Sequence, residues 1–247
     1  MLKNNDLFSA PSQIIELLRN SESFLILTHV RPDGDAIGSV AGLSKSLRKA
    51  GKKVDIGVSG LLPERFSFLL SEELILKPGL EKVPHDSVFL LDCGELSRSG
   101  FEQDLLNYPG KIVNIDHHAS NVGFGQYNFL DFESSSTCEM LVSLITGANF
   151  PLDAEVAEGL YLGLMTDSRF FQNEGLRPSA FHAAAVLLST GLNTSRLLSI
   201  LNQNRSLSEL KVLARGLHKL QCTSDGRFAN LILTYEEILE MGGKFEE

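Results

Sequence analysis

Short apolar runs alternate with amphipathic stretches along most of this 247-residue chain. Residues 24–28 (FLILT) are almost wholly apolar, the pattern of a strand buried on both faces. The stretch 36–50 instead places Ile37, Val40, Leu43 and Leu47 three or four apart, which predicts a helix stopped by Gly51. Residues 54–58, 88–91 and 112–115 read as further buried strands. Residues 136–145, 154–165 and 179–188 read as helices, the last set between Pro178 and Gly191. Strands alternating with helices predict an α/β fold, a largely parallel sheet flanked by helices.

From about Asn193 the rhythm changes. Helical stretches at 194–201 and 207–219 lead to a hairpin pattern: 220–223, an Asp225-Gly226 turn, then 228–233. One hairpin and one helix are too little for an independent core. The expected organisation is a first domain at 1–189, a connector at 190–206, and the incomplete start of a second α/β domain at 207–247.

Four of these element ends run into acidic or histidine clusters. Thr28-His29-Val30-Arg31-Pro32-Asp33-Gly34-Asp35 lies between the first strand and its helix. Leu91-Asp92-Cys93-Gly94 and Ile115-Asp116-His117-His118 each follow a strand, and Thr166-Asp167-Ser168 ends a helix. Loops that follow parallel strands emerge on one sheet edge, where ligands bind, so the three strand-end clusters should converge. Imidazole and carboxylate donors without thiolate suit a divalent metal, manganese before calcium and, less decisively, before magnesium. Donor type alone leaves zinc and iron open. Asp33, Asp35, Asp92 and Asp167 would carry about four negative charges, which two dications would neutralise.

Each residue also has a plainer reading. Asp35 could cap the helix starting at Ala36, and Asp92 could be a turn residue. Asp116 could orient a ligating histidine rather than bind metal. What argues against a purely structural set is that three of the six histidines fall in the clusters, each near aspartate at a strand end. His85, His182 and His218 lie outside and read as structural or solvent-facing. Cys93 adjoins the clusters, which gives it some scope for redox sensitivity.

Charge and cysteine usage narrow the setting. The net charge of −9 disfavours nonspecific binding to duplex DNA. Any phosphate substrate would then need imported positive charge, and metal supplies it. The three cysteines form no CxxC pair, against a disulfide framework or structural zinc. The N-terminal stretch lacks a signal-type apolar core, and no run approaches the roughly 20 apolar residues of a membrane span. A cytoplasmic protein without membrane association is expected.

The stretches HVRPDGDAIGS (29–39), LDCGELSRSG (91–100), NIDHHASNVGFG (114–125) and GLYLGLMTDSRFF (159–171) together resemble the DHH phosphoesterase family. The forms of the first and third point to its nanoRNase and pAp phosphatase branch. The resemblance implies two divalent ions, manganese first and magnesium as the alternative. His29, Asp33 and Asp92 would hold one ion. Asp35, Asp92, His117 and Asp167 would hold the other, with Asp92 bridging. His118 would face the scissile phosphate and Asp116 would orient the histidines. Hydroxide held between ions roughly 3.5–4 Å apart would attack phosphorus in line.

Implied substrates are short single-stranded oligoribonucleotides, dinucleotides and 3′-phosphoadenosine 5′-phosphate (pAp). A homodimer is left open. The chain departs from the family pattern after Asp167, where Arg169 or Arg177 would have to supply the phosphate-binding cation. It also lacks the family's C-terminal glycine-rich loop and histidine, the nearest stretch being Gly242-Gly243-Lys244. Three other readings therefore stand: a pyrophosphatase or exopolyphosphatase with the same ions, a non-catalytic metal-dependent nucleotide-binding protein, and a fragment of a longer enzyme.

Overall fold

The computed structural model describes residues 10–60, 62–70, 75–76, 84–203 and 206–243. The readings of the first nine residues and of Lys244 lie outside them. The chain divides into two compact units, Met1–Thr194 and Ser195–Glu247, a division that falls inside the expected connector.

The first unit carries a parallel sheet whose strands are β1 (Ser23–Leu27), β2 (Lys53–Gly57), β3 (Ile75–Leu76), β4 (Ser87–Leu91), β5 (Lys111–Asp116) and β6 (Tyr127–Leu130). The order is β3-β2-β1-β4-β5-β6, with every pair parallel. The apolar runs are buried as their composition demands: Phe24 to Leu27 and Val88 to Leu91 are fully enclosed. Each such side chain contributes about 1.5–3 kcal/mol relative to an exposed one. The chain winds outward from β1 in one direction and from β4 in the other. The crevice at that reversal is where open α/β sheets bind ligands, and the His29 and Asp92 clusters leave β1 and β4 there.

Helices α1 (Ser12–Asn20), α2 (Gly34–Lys49), α3 (Glu102–Leu105), α4 (Thr137–Ala148), α5 (Ala154–Asp167) and α6 (Pro178–Ser189) complete this unit. The antiparallel pair α2 and α5 meets along a seam of glycines. A Cβ on Gly38 would lie 2.4 Å from the Gly159 carbonyl oxygen, and one on Gly34 would lie 2.3 Å from Thr166 Oγ1. That close approach brings the first turn of α2, with Asp35, to the last turn of α5, with Asp167. Among the described residues, no single helix is long and apolar enough to cross a membrane.

The second unit holds most of α7 (Thr194–Gln203), then α8 (Leu207–His218), the antiparallel pair β7 (Gln221–Cys222) and β8 (Ala229–Asn230), and α9 (Tyr235–Glu240). Both α8 and α9 begin with a reciprocal capping box, Ser206 with Glu209 and Thr234 with Glu237.

Candidate metal centre

The centre is built from chain reversals at the ends of β1, β4, β5 and α5. Asp33 is the N-cap of α2: its Oδ1 accepts from the Asp35 and Ala36 amides, each at 3.1 Å. The helix therefore starts at Gly34, and the reading of Asp35 as a cap is corrected. Asp35 sits inside the first turn, fully buried, and reaches across to the start of α4. There Oδ2 accepts from the Thr137 amide at 2.6 Å and Oδ1 from the Cys138 amide at 3.0 Å. Two donors at a helix N-terminus compensate a buried carboxylate.

Asp92 has φ 55°, a left-handed conformation that aspartate tolerates better than most residues. Its amide still bonds the Ile115 carbonyl at 3.0 Å, so the ladder to β5 continues through the reversal. Asp92 is the hub. Its Oδ2 lies 3.6 Å from His29 Nε2, and its Oδ1 lies 3.6 Å from His117 Nε2 and 3.1 Å from Thr137 Oγ1.

His117 Nε2 also approaches Asp167 Oδ2 at 3.4 Å and Asp35 Oδ2 at 3.8 Å. These donors form groups able to hold a metal ion: His29, Asp33 and Asp92 on one side, Asp35, His117 and Asp167 on the other. A further convergence of Asp92, His117 and His118 fits less well, because His118 Nδ1 is committed to Asp116 Oδ1 at 2.7 Å.

The surroundings fix the histidines for ligation. His29 Nδ1–H donates to the Val30 carbonyl at 2.7 Å, and His117 Nδ1–H donates to the Ser134 carbonyl at 3.2 Å. Each Nε2 is thereby turned toward the carboxylates, the atom that would ligate a metal once free of its proton. Behind His118, Asp116 Oδ2 accepts from Asn121 Nδ2 at 2.7 Å. Asn121 is buried beside Asn114 Oδ1 and holds the Gly123 amide at 2.8 Å.

Electrostatics mark the same residues. Burial, then the Asp92 and Asp167 carboxylates, push the Asp35 carboxyl well above its ordinary range. Burial raises Asp167 to about 6 against the opposing pull of His117. Burial would also raise Asp92, but the nearby His29, His117 and His118 rings outweigh it and hold it low. At His29, burial is outweighed by the nearby Asp92 carboxylate and the bond to Val30, so its pKa is raised. The bond to Asp116 lifts His118 to about 9. The raised carboxyls of Asp35 and Asp167, crowded beside Asp92 and the imidazole rings, mark a place where a divalent cation would offset the repulsion.

The sequence-predicted ligands His29, Asp33, Asp35, Asp92, His117 and Asp167 thus come together, with Asp116 and His118 alongside. Arg169 is exposed on a left-handed run, Arg169-Phe170-Phe171 with φ 50°, 58° and 61°, directly after α5. Among the described residues, no hydrogen bond or ion pair ties its side chain to the cluster. Arg177 is paired with Asp131 and Glu133. Thr137 and Ser134 went unread as site residues; the run ESSST before α4 was their only local signal.

His85 is structural as expected, buried between Asp55 at 2.8 Å and Tyr108 at 2.9 Å, while His182 and His218 are exposed. Cys93 is buried, and that burial pushes its thiol up to about 12, which disfavours the reactive thiolate.

Residues 23–164 match the model of the DHH family, N-terminal domain. The chain is 33% identical over 188 residues to the bifunctional oligoribonuclease and PAP phosphatase NrnA of Thermus thermophilus, covering 74% of this chain and 55% of that protein. The protein of the same name from Bacillus subtilis is 24% identical over 215 residues, with 80% and 67% covered. Among solved structures, an exopolyphosphatase-related protein from Bacteroides fragilis superposes with a TM-score of 0.87 at 26% identity, over 94% of this chain and 72% of that one. A putative family II inorganic pyrophosphatase from Methanococcus jannaschii shares the fold at TM-score 0.53 and 17% identity. The chain spans little more than half the length of the Thermus relative. With the family model covering more than half of its residues and all four clusters meeting at one sheet edge, the chain belongs to the DHH family.

Proposed function

We propose that the chain is a phosphoric ester hydrolase using two divalent metal ions, manganese first and magnesium as the alternative. Its substrates are short oligoribonucleotides or dinucleotides and pAp. The observation that carries this reading is Asp92, whose two oxygens face donors of different metal-holding groups. His29, Asp33 and Asp92 would hold one ion, and Asp35, Asp92, His117 and Asp167 the other. Bound there, the ions would supply Lewis acidity and a nucleophile at neutral pH.

The chain's own groups do the rest. His118, raised to about 9 by Asp116, carries a proton at neutral pH in the metal-free protein. Its Nε2–H would donate to a phosphoryl oxygen or to the departing oxygen, while Asp116 fixes the ring. The oxygen of water joins phosphorus, the bond from phosphorus to O3′ breaks, and O3′ leaves with a proton. Arg169 is proposed as a phosphate contact at the rim, and residues 207–247 as the start of a substrate-binding domain.

The names of the Thermus and Bacillus relatives support the nucleotide reading. The likeness to the Bacteroides protein favours a second one, a pyrophosphatase or exopolyphosphatase with the same ligands. Release of nucleotide and phosphate from pApA, pAp and pyrophosphate with manganese, beside Asp92→Ala, separates them. Turnover of pApA and pAp that disappears in Asp92→Ala is expected. Turnover of pyrophosphate alone supports the second reading, and manganese-dependent nucleotide binding without turnover would establish a non-catalytic protein.

A further inference from the structure

Beside the proposed second ion lies a cavity of about 470 Å³ that extends beyond the ligand cluster. It lies wholly within the first unit. One wall is Phe132 to Ser135, the other Asn173 to Arg177, and His117 and Asp167 form its inner end. Both walls are tied to those inner residues: the Ser134 carbonyl accepts from His117 Nδ1 at 3.2 Å, and Asn173 Nδ2 donates to the Asp167 carbonyl at 2.9 Å. Arg177 clasps one wall to the other through Asp131 and Glu133.

The volume falls in the range of small-molecule sites, about 300–1,000 Å³. Outside the proposed metal ligand Asp167 its lining is still acidic, with Glu133 and Glu174 against Arg177, and Arg177 is already paired. Such a lining repels a further phosphate and accepts hydroxyl and amino donors. Phe132, 52% exposed on the rim, offers a ring that the fold does not bury.

We propose that this cavity is a nucleoside subsite, with Phe132 as the platform on which a base stacks. The inference rests on the phosphoesterase reading above and deepens it by naming where one half of a dinucleotide sits. The chemistry says which half. When pApA or pAp is cleaved between phosphorus and O3′, the same 5′-nucleotide departs from both. They differ in what stays on phosphorus: pApA keeps a second nucleoside through O5′, and pAp keeps none. The subsite takes that second nucleoside, so it favours oligonucleotides over pAp.

The test is the ratio of kcat/KM for pApA to that for pAp, measured with manganese in the wild type, Phe132→Ala and Phe132→Tyr. Loss of one base stack lowers affinity about 5- to 150-fold. Phe132→Ala is therefore expected to lower the ratio by that factor, mainly through KM for pApA, and Phe132→Tyr to restore it. An active wild type whose ratio is unchanged in Phe132→Ala overturns the subsite alone, whether both substrates suffer equally or neither does. A wild type that hydrolyses neither substrate overturns the phosphoesterase reading and the subsite with it.

Discussion

Replacing Gly163 with alanine should strain the centre from behind, because this glycine is where α5 touches Asp35. An added Cβ would lie 2.3 Å from Cys138 Sγ, 2.9 Å from Asp35 Oδ1 and 3.1 Å from Asp35 Cα. None of these neighbours can retreat into solvent: Asp35 and Cys138 are buried, and Cys138 Sγ is already 3.2 Å from Ser39 Oγ. Overpacking of this kind costs about 1–3 kcal/mol, and contacts this short belong at the upper end. Alanine returns about 1 kcal/mol of helix propensity. The net destabilisation is about 2 kcal/mol, roughly 30-fold in the folding equilibrium.

Urea unfolding of the metal-free protein, followed by circular dichroism, measures that loss directly. The variant Cys138→Ala removes the closest clash while leaving the contact with Asp35, so the pair of substitutions should be about 1 kcal/mol less harmful than their sum. A Gly163→Ala protein as stable as the wild type, or strict additivity of the two substitutions, would refute the packing argument.

Manganese affinity should fall as pH drops through about 6, where Asp167 takes up a proton. Its pKa is raised, so the protonated form persists to higher pH, and a ligand must lose that proton. The loss approaches tenfold per pH unit for each proton displaced. The raised His29 steepens the fall, and calorimetric titration that finds constant affinity across this range would count against both as ligands. Asn121→Ala removes the donor to Asp116 Oδ2, a bond to a charged group worth about 1.5–3 kcal/mol. It should lower kcat at least tenfold while manganese affinity holds; equal loss of both would mean that Asn121 merely supports the fold. Iodoacetamide at neutral pH should alkylate Cys222, which is exposed, and spare the buried Cys93 and Cys138 with their raised thiol pKa values; rapid modification of Cys93 would contradict the burial described for it.

What could be read from the sequence follows from how local each signal is. The strands β1, β4 and β5 are runs of apolar residues buried on both faces, and α2 carries its periodicity within itself. The ligands were legible for a related reason: a parallel sheet brings the ends of its strands to one edge whatever the loops do. The short edge strand β6 (YNFL) is only half buried, so its run lacks the apolar signature and went unread. For α1 and α9 the local signals are short, Ile14, Leu17 and Leu18 on one face and a Thr234–Glu237 capping box.

The capping of α2 turned on a choice between Asp33 and Asp35 that backbone geometry decides. The contacts of Asp35 with Thr137 and Cys138, of His117 with Ser134, and of Asn121 with Asp116 depend on approach in three dimensions. No spacing in the chain announces them. The left-handed backbone at Asp92 is likewise a product of the tertiary structure.

The central claim is that Asp92 is shared by two metal ions, and manganese stoichiometry in the wild type and Asp92→Ala, by calorimetry with electron paramagnetic resonance of the bound ions, tests it most directly. The expected result is two equivalents per chain with magnetically coupled signals, and weakened, uncoupled binding in Asp92→Ala. A single equivalent in the wild type, or two equivalents bound as tightly by Asp92→Ala, would contradict the account.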